Sequence, residues 1–174
     1  MGNWKDKDFD EGLTAKKDEI YRTLFKVDDV LRSDRANFTK GEASRILDEK
    51  LGIDCLIYLQ SGGYITCQEK ILRYSKMHFL QLTIEYENNR IGSKYGDWFH
   101  LASQIYFFGY ATPDETNIAK YWIFDICKLR LYLDEINFPI KNYVRNNTGV
   151  ERSSFVAIPL EIIFRKPEII LYYN

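Results

Sequence analysis

Cysteine and histidine are scarce in this chain of 174 residues, and their scarcity excludes several kinds of site. There are three cysteines, Cys55, Cys67 and Cys127, and two histidines, His78 and His100. No two cysteines form a CxxC pair and neither histidine has the spacing of a ligand, so we expect no structural zinc site. An odd number of cysteines, each in an apolar strand-like run, is typical of buried free thiols in a reducing compartment.

Long hydrophobic runs and an excess of charge of one sign are also absent. No segment approaches the ~20 apolar residues of a membrane-spanning helix, and the charged N-terminal segment lacks the apolar core of a signal peptide. Lys plus Arg (24) nearly balance Asp plus Glu (25). This balance is not that of a strong non-specific nucleic-acid binder, although a local basic groove is enough for binding. We expect a cytoplasmic protein without a membrane partner.

The composition is that of one folded domain. Hydrophobic residues make up 45% of the chain, which is enough for a core without disulfides. No repeat, low-complexity tract or linker divides the sequence, so we expect residues 1–174 to form a single domain. Aromatic residues are abundant, with 13 Tyr and 11 Phe. Core filling is the favoured explanation for most of them, and base-stacking platforms are the alternative.

Hydrophobic periodicity predicts an α/β fold. Helices are expected over 14–27, 42–51 and 128–136, and another from Asp97 to Tyr106. Strands are expected over 53–59, 64–71, 79–87 and 119–127, with a tight hairpin turn at 60–63 and a further apolar run at 155–164. Residues 1–12 and 28–41 are polar and are expected to be irregular. This order predicts a central mixed β-sheet flanked by α-helices.

The predicted hairpin contains polar residues where a core strand would have apolar ones. Asp54 lies near the start of its first strand, and Gln68, Glu69 and Lys70 interrupt the returning strand. Because side chains alternate along a strand, Gln68 and Lys70 share one face and Glu69 takes the other. If Asp54 faces Gln68 and Lys70, three polar groups converge beside the hairpin. Charged groups in such a place need partners or a metal.

This set of residues suits the cleavage of phosphodiester bonds. The carboxylate of Asp54 and the amide oxygen of Gln68 are ligands of the kind that Mg²⁺ prefers. Such a cation polarises a phosphate and lowers the pKa of a bound water, and Lys70 can orient that water or stabilise charge in the transition state. The structural alternative is that Asp54 caps the turn after Gly52 and forms an ordinary ion pair with Lys70.

The segment from Asp54 to Lys70 resembles the PD-(D/E)XK nuclease superfamily. The signature of that family is an Asp on one strand, a short hairpin, and (D/E)-x-K on the next strand. Similarity extends over about residues 14–165, including the Gly-Asp-Trp at 96–98, but only the hairpin is diagnostic. The resemblance implies a restriction-endonuclease-like fold and a Mg²⁺- or Mn²⁺-dependent deoxyribonuclease that binds DNA, in a bacterial cell or phage-infected host.

The sequence departs from the family pattern at one position. Gln68 stands where the family has Glu or Asp, which weakens a metal site by one negative charge. Glu69 replaces it only if a β-bulge turns its side chain inward. The resemblance also implies a third carboxylate from an N-terminal helix, with Glu19 preferred over Glu42. An ordinary solvated helix charge is the alternative for either residue.

Several basic residues are predicted to contact the phosphates of DNA. Arg73 and Lys76 lie closest to the hairpin in sequence, and more distant candidates are Arg35, Lys40, Lys141, Arg145 and Arg152. Surface solubility is the alternative for scattered charges of this kind. Two other hypotheses stay open: a catalytically inactive module of the same fold that binds nucleic acid or a protein, and an assembly protein that forms a homodimer through exposed aromatic residues.

Overall fold

The computed structural model of the protein describes residues 4–32, 46–47, 51–88, 95–147 and 153–174. The helices are α1 (Trp4–Leu24), α2 (Asp97–His100), α3 (Ile126–Glu135) and α4 (Leu160–Ile163). The strands are β1 (Val27–Arg32), β2 (Cys55–Leu59), β3 (Tyr64–Leu72), β4 (Gln81–Asn88), β5 (Ile105–Ala111), β6 (Ile118–Asp125), β7 (Val144–Asn146), β8 (Ser153–Pro159) and β9 (Ile170–Tyr173). Short 3₁₀ helices lie at Tyr74–Phe79, Ile140–Tyr143 and Pro167–Ile169.

The strands form two sheets. The larger is six-stranded, in the order β1-β2-β3-β5-β6-β9, and the smaller has the order β4-β8-β7. The larger sheet is mixed, because β3 and β5 run parallel and its other neighbours run antiparallel. The prediction of an α/β chain with a mixed sheet is therefore confirmed. The second sheet was not predicted.

Each face of the larger sheet has its own hydrophobic core. Phe107 and Ile123 belong to the core beneath α1, which α1 completes with Leu13 and Tyr21. Their neighbours along β5 and β6 point to the other face, where the core includes Leu82 of β4, Ile158 of β8 and Leu129 of α3. The domain therefore has three layers: α1, the mixed sheet, and the small sheet together with α3.

Two segments that the sequence predicted to be irregular contain regular elements. α1 begins at Trp4, ten residues before the start predicted at Thr14. β1 occupies Val27–Arg32, a strand whose first and last residues are buried and which contains two exposed aspartates. Polar residues concealed both elements from the sequence analysis, because the stability of such elements comes from packing rather than from local propensity.

The helix predicted from Asp97 to Tyr106 is wrong beyond His100. β5 begins at Ile105 and every residue of it is buried, since layers cover both of its faces. Such a strand has no alternation, so its sequence does not differ in periodicity from a buried helix. The apolar run at 155–164 likewise divides, with β8 ending at Pro159 and α4 following.

The remaining local predictions concern the hairpin turn, the second helix, the cysteines and membrane-spanning segments. The hairpin turn is confirmed, with Gly62 and Gly63 at φ of 86° and 80°. The helix predicted over 42–51 lies mostly outside the described residues. Cys55 and Cys67 are buried free thiols, but Cys127 is exposed because it lies on the solvent side of α3 and not in a strand. No helix in the described part of the chain is long and apolar enough to cross a bilayer.

Two leucines of α3 test the assignment of its buried face. Leu129 is 1% exposed and Leu131 is 65% exposed. We expect Leu129→Ala to lower the free energy of unfolding by about 2–5 kcal/mol because it leaves a cavity. Leu131→Ala, the matched control, should change it by less than about 0.5 kcal/mol. Urea denaturation followed by circular dichroism measures both, and equal effects would contradict the packing of α3.

Candidate functional site

Asp54 lies immediately before β2, at the open end of the hairpin. Its backbone N–H donates to the carbonyl of Cys67 at 2.9 Å, and its Oδ2 accepts a hydrogen bond from the backbone N–H of Glu69 at 2.7 Å. Since Cys55 is paired with Cys67, Asp54 comes opposite Gln68 of β3. The side chain is half-buried. The carboxylate is therefore fixed against β3 while part of it reaches solvent.

Gln68 has a buried side chain with an unsatisfied oxygen. The residue is 8% exposed, and its Oε1 has no hydrogen-bond partner within the described part of the chain. Gly52 lies beside it and makes room for Leu101, because a Cβ at position 52 would be in ordinary contact with Gln68 Oε1 at 3.5 Å but only 2.9 Å from Leu101 Cδ1. A buried acceptor without a partner is destabilising. An arrangement that retains such an oxygen suits a cation ligand.

Lys70 lies on the same face of β3 as Gln68. The pairing of β3 with β2 and β5 has no bulge between Gln68 and Lys70, so the alternation of side chains is regular. Lys70 is exposed and forms no salt bridge with any described residue. The ion pair with Asp54, which we considered as the structural alternative, is therefore not formed. The strand register brings Asp54, Gln68 and Lys70 to one side of the hairpin.

Glu69 points to the opposite face, toward α1. Its Oε2 lies 2.6 Å from Lys17 Nζ and 2.6 Å from Arg32 Nη1, and its Oε1 accepts a hydrogen bond from the Tyr21 hydroxyl at 2.8 Å. Asp18 forms an ion pair with Arg32, so the two cations meet two carboxylates. The bulge that would turn Glu69 toward Gln68 does not exist, and the carboxylate already has partners.

The ionisation of Glu69 follows from these partners. Burial disfavours the charged carboxylate, but the positive charges of Lys17 and Arg32 and their hydrogen bonds outweigh burial. Together they lower the pKa of Glu69 from 4.5 to about 2. Glu69 is therefore ionised at neutral pH as the anion of a buried charge cluster.

Two thiols beside Glu69 complete a group with metal-ligand chemistry. Ligand atoms of Cys55, Cys67 and Glu69 all lie within 4.8 Å of one another. Hydrogen bonding with Cys67 and burial raise the pKa of the Cys55 thiol, which disfavours the thiolate that a soft metal needs. Lys17 and Arg32 already bind the carboxylate and would repel a further cation. This group does not fit a metal and is explained by packing.

Two carboxylates that the sequence analysis missed lie near the Gln68 side of the sheet. Tyr106 is paired with Gln68 across β3 and β5 and is 2% exposed. Burial raises the pKa of Tyr106 well above its usual range, and the negative charges of Asp97, Asp54 and Glu85 raise it further. Asp97 belongs to α2 and Glu85 to β4, whereas Asp54 immediately precedes β2. No sequence motif links them, because the fold alone brings the three elements together.

Glu19 and Glu42 were the two candidates for a third carboxylate ligand. Glu19 is exposed and its carboxylate lies 3.3 Å from Lys16 Nζ. It belongs to α1, which covers the face of the sheet that Glu69 occupies, so the structure does not bring it to Gln68. Glu42 lies outside the described residues.

The described residues proposed to bind DNA belong to two segments of the chain, one after β3 and one around β7. Arg73 forms an ion pair with Glu115, and its guanidinium lies 4.6 Å from the centre of the Phe9 ring. Lys76 is exposed in the 3₁₀ turn after β3, near the ring of Phe79. Lys141 and Arg145 are exposed in and after the 3₁₀ turn that precedes β7, whereas the predicted contacts at Arg35, Lys40 and Arg152 lie outside the described residues.

Comparison of the chain with models of protein families, with curated proteins and with solved structures found no match.

The charge cluster around Glu69 predicts a dependence of stability on pH. Glu69→Gln leaves Lys17 and Arg32 buried without their anion, and we expect it to lower the free energy of unfolding by about 3–5 kcal/mol at pH 7. Because the pKa of Glu69 falls from 4.5 to about 2 on folding, its contribution is complete above pH 4.5 and is lost as the pH drops toward 2. The difference between parent and variant should shrink over that window.

Denaturant titrations between pH 7 and pH 2.5 measure this difference. Glu19→Gln is the control, because its ion pair is exposed and contributes little. A Glu69→Gln variant as stable as the Glu19→Gln variant at pH 7 would contradict the role given to the cluster.

Proposed function

We propose that this protein is a nuclease of restriction-endonuclease-like fold that hydrolyses phosphodiester bonds of DNA with Mg²⁺ or Mn²⁺. The observation that supports the proposal most directly is the buried Oε1 of Gln68, which lacks a hydrogen-bond partner among the described residues. It lies on the face of β3 that also presents Lys70, opposite the position of Asp54. An oxygen of this kind next to a carboxylate suits a hard divalent cation.

The ligands in this proposal come from more than one element. Asp54 supplies a carboxylate and Gln68 an amide oxygen, and Asp97 and Glu85 are the nearby carboxylates that can add negative charge. The bound cation would polarise the scissile phosphate and lower the pKa of the attacking water. Carboxylates from other elements offset the neutral side chain at position 68, since affinity for a divalent cation grows with ligand charge.

The chain's own residues perform the remaining steps. The backbone N–H of Glu69 holds Asp54 in position, so the carboxylate does not have to be ordered when substrate binds. Lys70, whose ammonium group has no salt-bridge partner in the described residues, orients the attacking water or stabilises negative charge on the phosphate oxygens in the transition state. Lys76, in the turn that follows β3, contacts a neighbouring phosphate.

One observation favours a second candidate function, a non-catalytic module of the same fold. Position 68 has no charge, and the adjacent acid, Glu69, is fully engaged by Lys17 and Arg32 on the other face. A site that has lost a carboxylate can bind nucleic acid or a protein without cutting. Metal binding and cleavage separate the two functions.

Substitution of Asp54 and Lys70 tests the catalytic assignment. We expect Asp54→Ala and Lys70→Ala each to lower the rate of DNA cleavage in Mg²⁺ or Mn²⁺ at least about 100-fold, because each removes a group that acts on the transition state. Asp134→Ala and Lys120→Ala replace exposed residues of the same types and should cut like the parent. Circular dichroism checks that all four fold, and normal cutting by the two site variants would refute the assignment.

Calorimetric titration with Mn²⁺ tests the ligands without any need for cleavage. We expect the parent to bind with a millimolar or tighter Kd, Asp54→Asn and Gln68→Leu to weaken binding at least about tenfold, and Gln68→Glu to strengthen it because it adds a charged ligand. Glu19→Gln should bind like the parent, since that carboxylate lies on the other side of the sheet. A parent that binds no Mn²⁺, or a loss of binding in Glu19→Gln alone, would contradict these ligands.

A further inference from the structure

Three aromatic rings form a contiguous group next to α2. The Phe99 ring centre lies 4.9 Å from that of Tyr86 and 5.0 Å from that of Tyr95, with the planes tilted by 54° and 64°. Tyr95 is 62% exposed and Phe99 is 47% exposed, whereas Tyr86 is half-buried behind them. Large exposed rings in contact are a feature of binding surfaces more than of ordinary solvated ones.

The backbone holds this group firmly on β4. Gly96 packs so closely against Glu85 that a Cβ at position 96 would lie 2.7 Å from the backbone of Glu85. The Gly96 N–H donates to the carbonyl of Tyr86 at 2.9 Å, and the Phe99 N–H donates to the carbonyl of Gly96 at 3.1 Å. The rings are therefore presented by a fixed segment, which limits the entropy lost when a ligand binds.

The same segment borders the proposed metal centre. Asp97 lies between Tyr95 and Phe99 in the chain, and Leu101 at the end of the segment and Gln68 Oε1 both lie next to Gly52. At that end, the N–H of Ala102 donates to the carbonyl of Leu51 at 2.8 Å. The aromatic rings are thus connected through rigid contacts to the residues that precede Asp54.

We propose that Tyr95 and Phe99 form a stacking subsite for an unpaired nucleobase of the DNA strand whose phosphate is cut. Exposed rings beside a phosphate site can stack on a base, and such stacking tolerates any sequence because every base has a π-face. In an intact duplex the base faces are covered by their neighbours, so these rings favour single-stranded or locally unpaired DNA. This inference rests on the proposed nuclease function and names its substrate class.

The segment that presents the rings also carries ionisable side chains. Asp97, in the same segment as the rings, lies 3.8 Å from His100 Nε2. Strand binding should depend on the rings, and the proposed cation would add a contact to the phosphate of that strand.

Equilibrium binding to the protein with Lys70→Ala, which is expected to bind DNA without cutting it, provides the test. The probes are a fluorescent DNA strand of about 12 nucleotides and a hairpin duplex of the same sequence, followed by anisotropy with and without Mn²⁺. We expect the strand to bind more tightly than the duplex in Mn²⁺. The added pair Tyr95→Leu and Phe99→Leu should weaken strand binding about tenfold or more, since each stacked base is worth that much.

Controls separate stacking from general effects on the fold. Tyr173→Leu removes a ring that is 75% exposed at the edge of the larger sheet, and it should leave strand affinity unchanged. Phe99→Trp with Tyr95 intact keeps a ring and should retain the affinity of the parent even if the double variant folds poorly. Equal binding of strand and duplex would overturn the subsite. So would a strand affinity that does not change when Tyr95 and Phe99 are replaced.

Two further results distinguish this inference from the function on which it rests. If the protein with Lys70 intact cuts DNA but its binding does not depend on the rings, only the stacking subsite is wrong. If it cuts neither strand nor duplex in Mn²⁺, the nuclease function itself fails and the subsite with it. If sedimentation shows a dimer that the double variant abolishes while strand affinity is unchanged, the rings bind a second copy and the proposal is overturned.

Discussion

The buried carboxylate of Glu69 is the interaction on which the rest of the structure depends. It joins β3 to two elements from the start of the chain, because Lys17 of α1 and Arg32 of β1 both contact its Oε2 at 2.6 Å. Charges removed from water are costly, and they persist here because cations and carboxylates balance and the Tyr21 hydroxyl satisfies the other oxygen. The cluster fixes α1 against one face of the larger sheet.

The direction of Glu69 also determines what the opposite face can do. Along an unbroken strand, a side chain that points toward α1 forces its neighbours, Gln68 and Lys70, to point away. The carboxylate of Glu69 therefore has a structural role. The proposed chemistry relies instead on the carboxylate of Asp54 and the neutral amide of Gln68. A slip of one residue in the register would bury Lys70 and expose Glu69, so the charge cluster protects the register of the site.

The sequence alone was enough for the hairpin and for the division of its side chains between two faces. Gly62 and Gly63 supplied a strong turn signal, and strict alternation then separated Glu69 from Gln68 and Lys70. The partners of Glu69 could not be foreseen in the same way. Arg32 lies 37 residues away, in a strand whose exposed aspartates concealed it, and a local pattern contains no information about contacts over such distances.

Other parts of the site were hidden for a related reason. Asp97 and Glu85 approach Tyr106 only because α2 and β4 pack against β5 of the larger sheet, and the start of β5 was predicted as part of a helix. Because β5 is buried on both faces, its sequence lacks the alternation of polar and apolar residues that identifies a strand. The resemblance to a nuclease family suggested instead a carboxylate on α1, which the fold places on the face that Glu69 occupies.

A crystal structure with bound Mn²⁺, recorded with anomalous scattering, would test the proposed centre most directly. We expect an anomalous peak at about 2.0–2.4 Å from a carboxylate oxygen of Asp54 and from Oε1 of Gln68. A peak among Cys55, Cys67 and Glu69, or no peak beside Asp54 when the ion is in excess of its measured Kd, would contradict it.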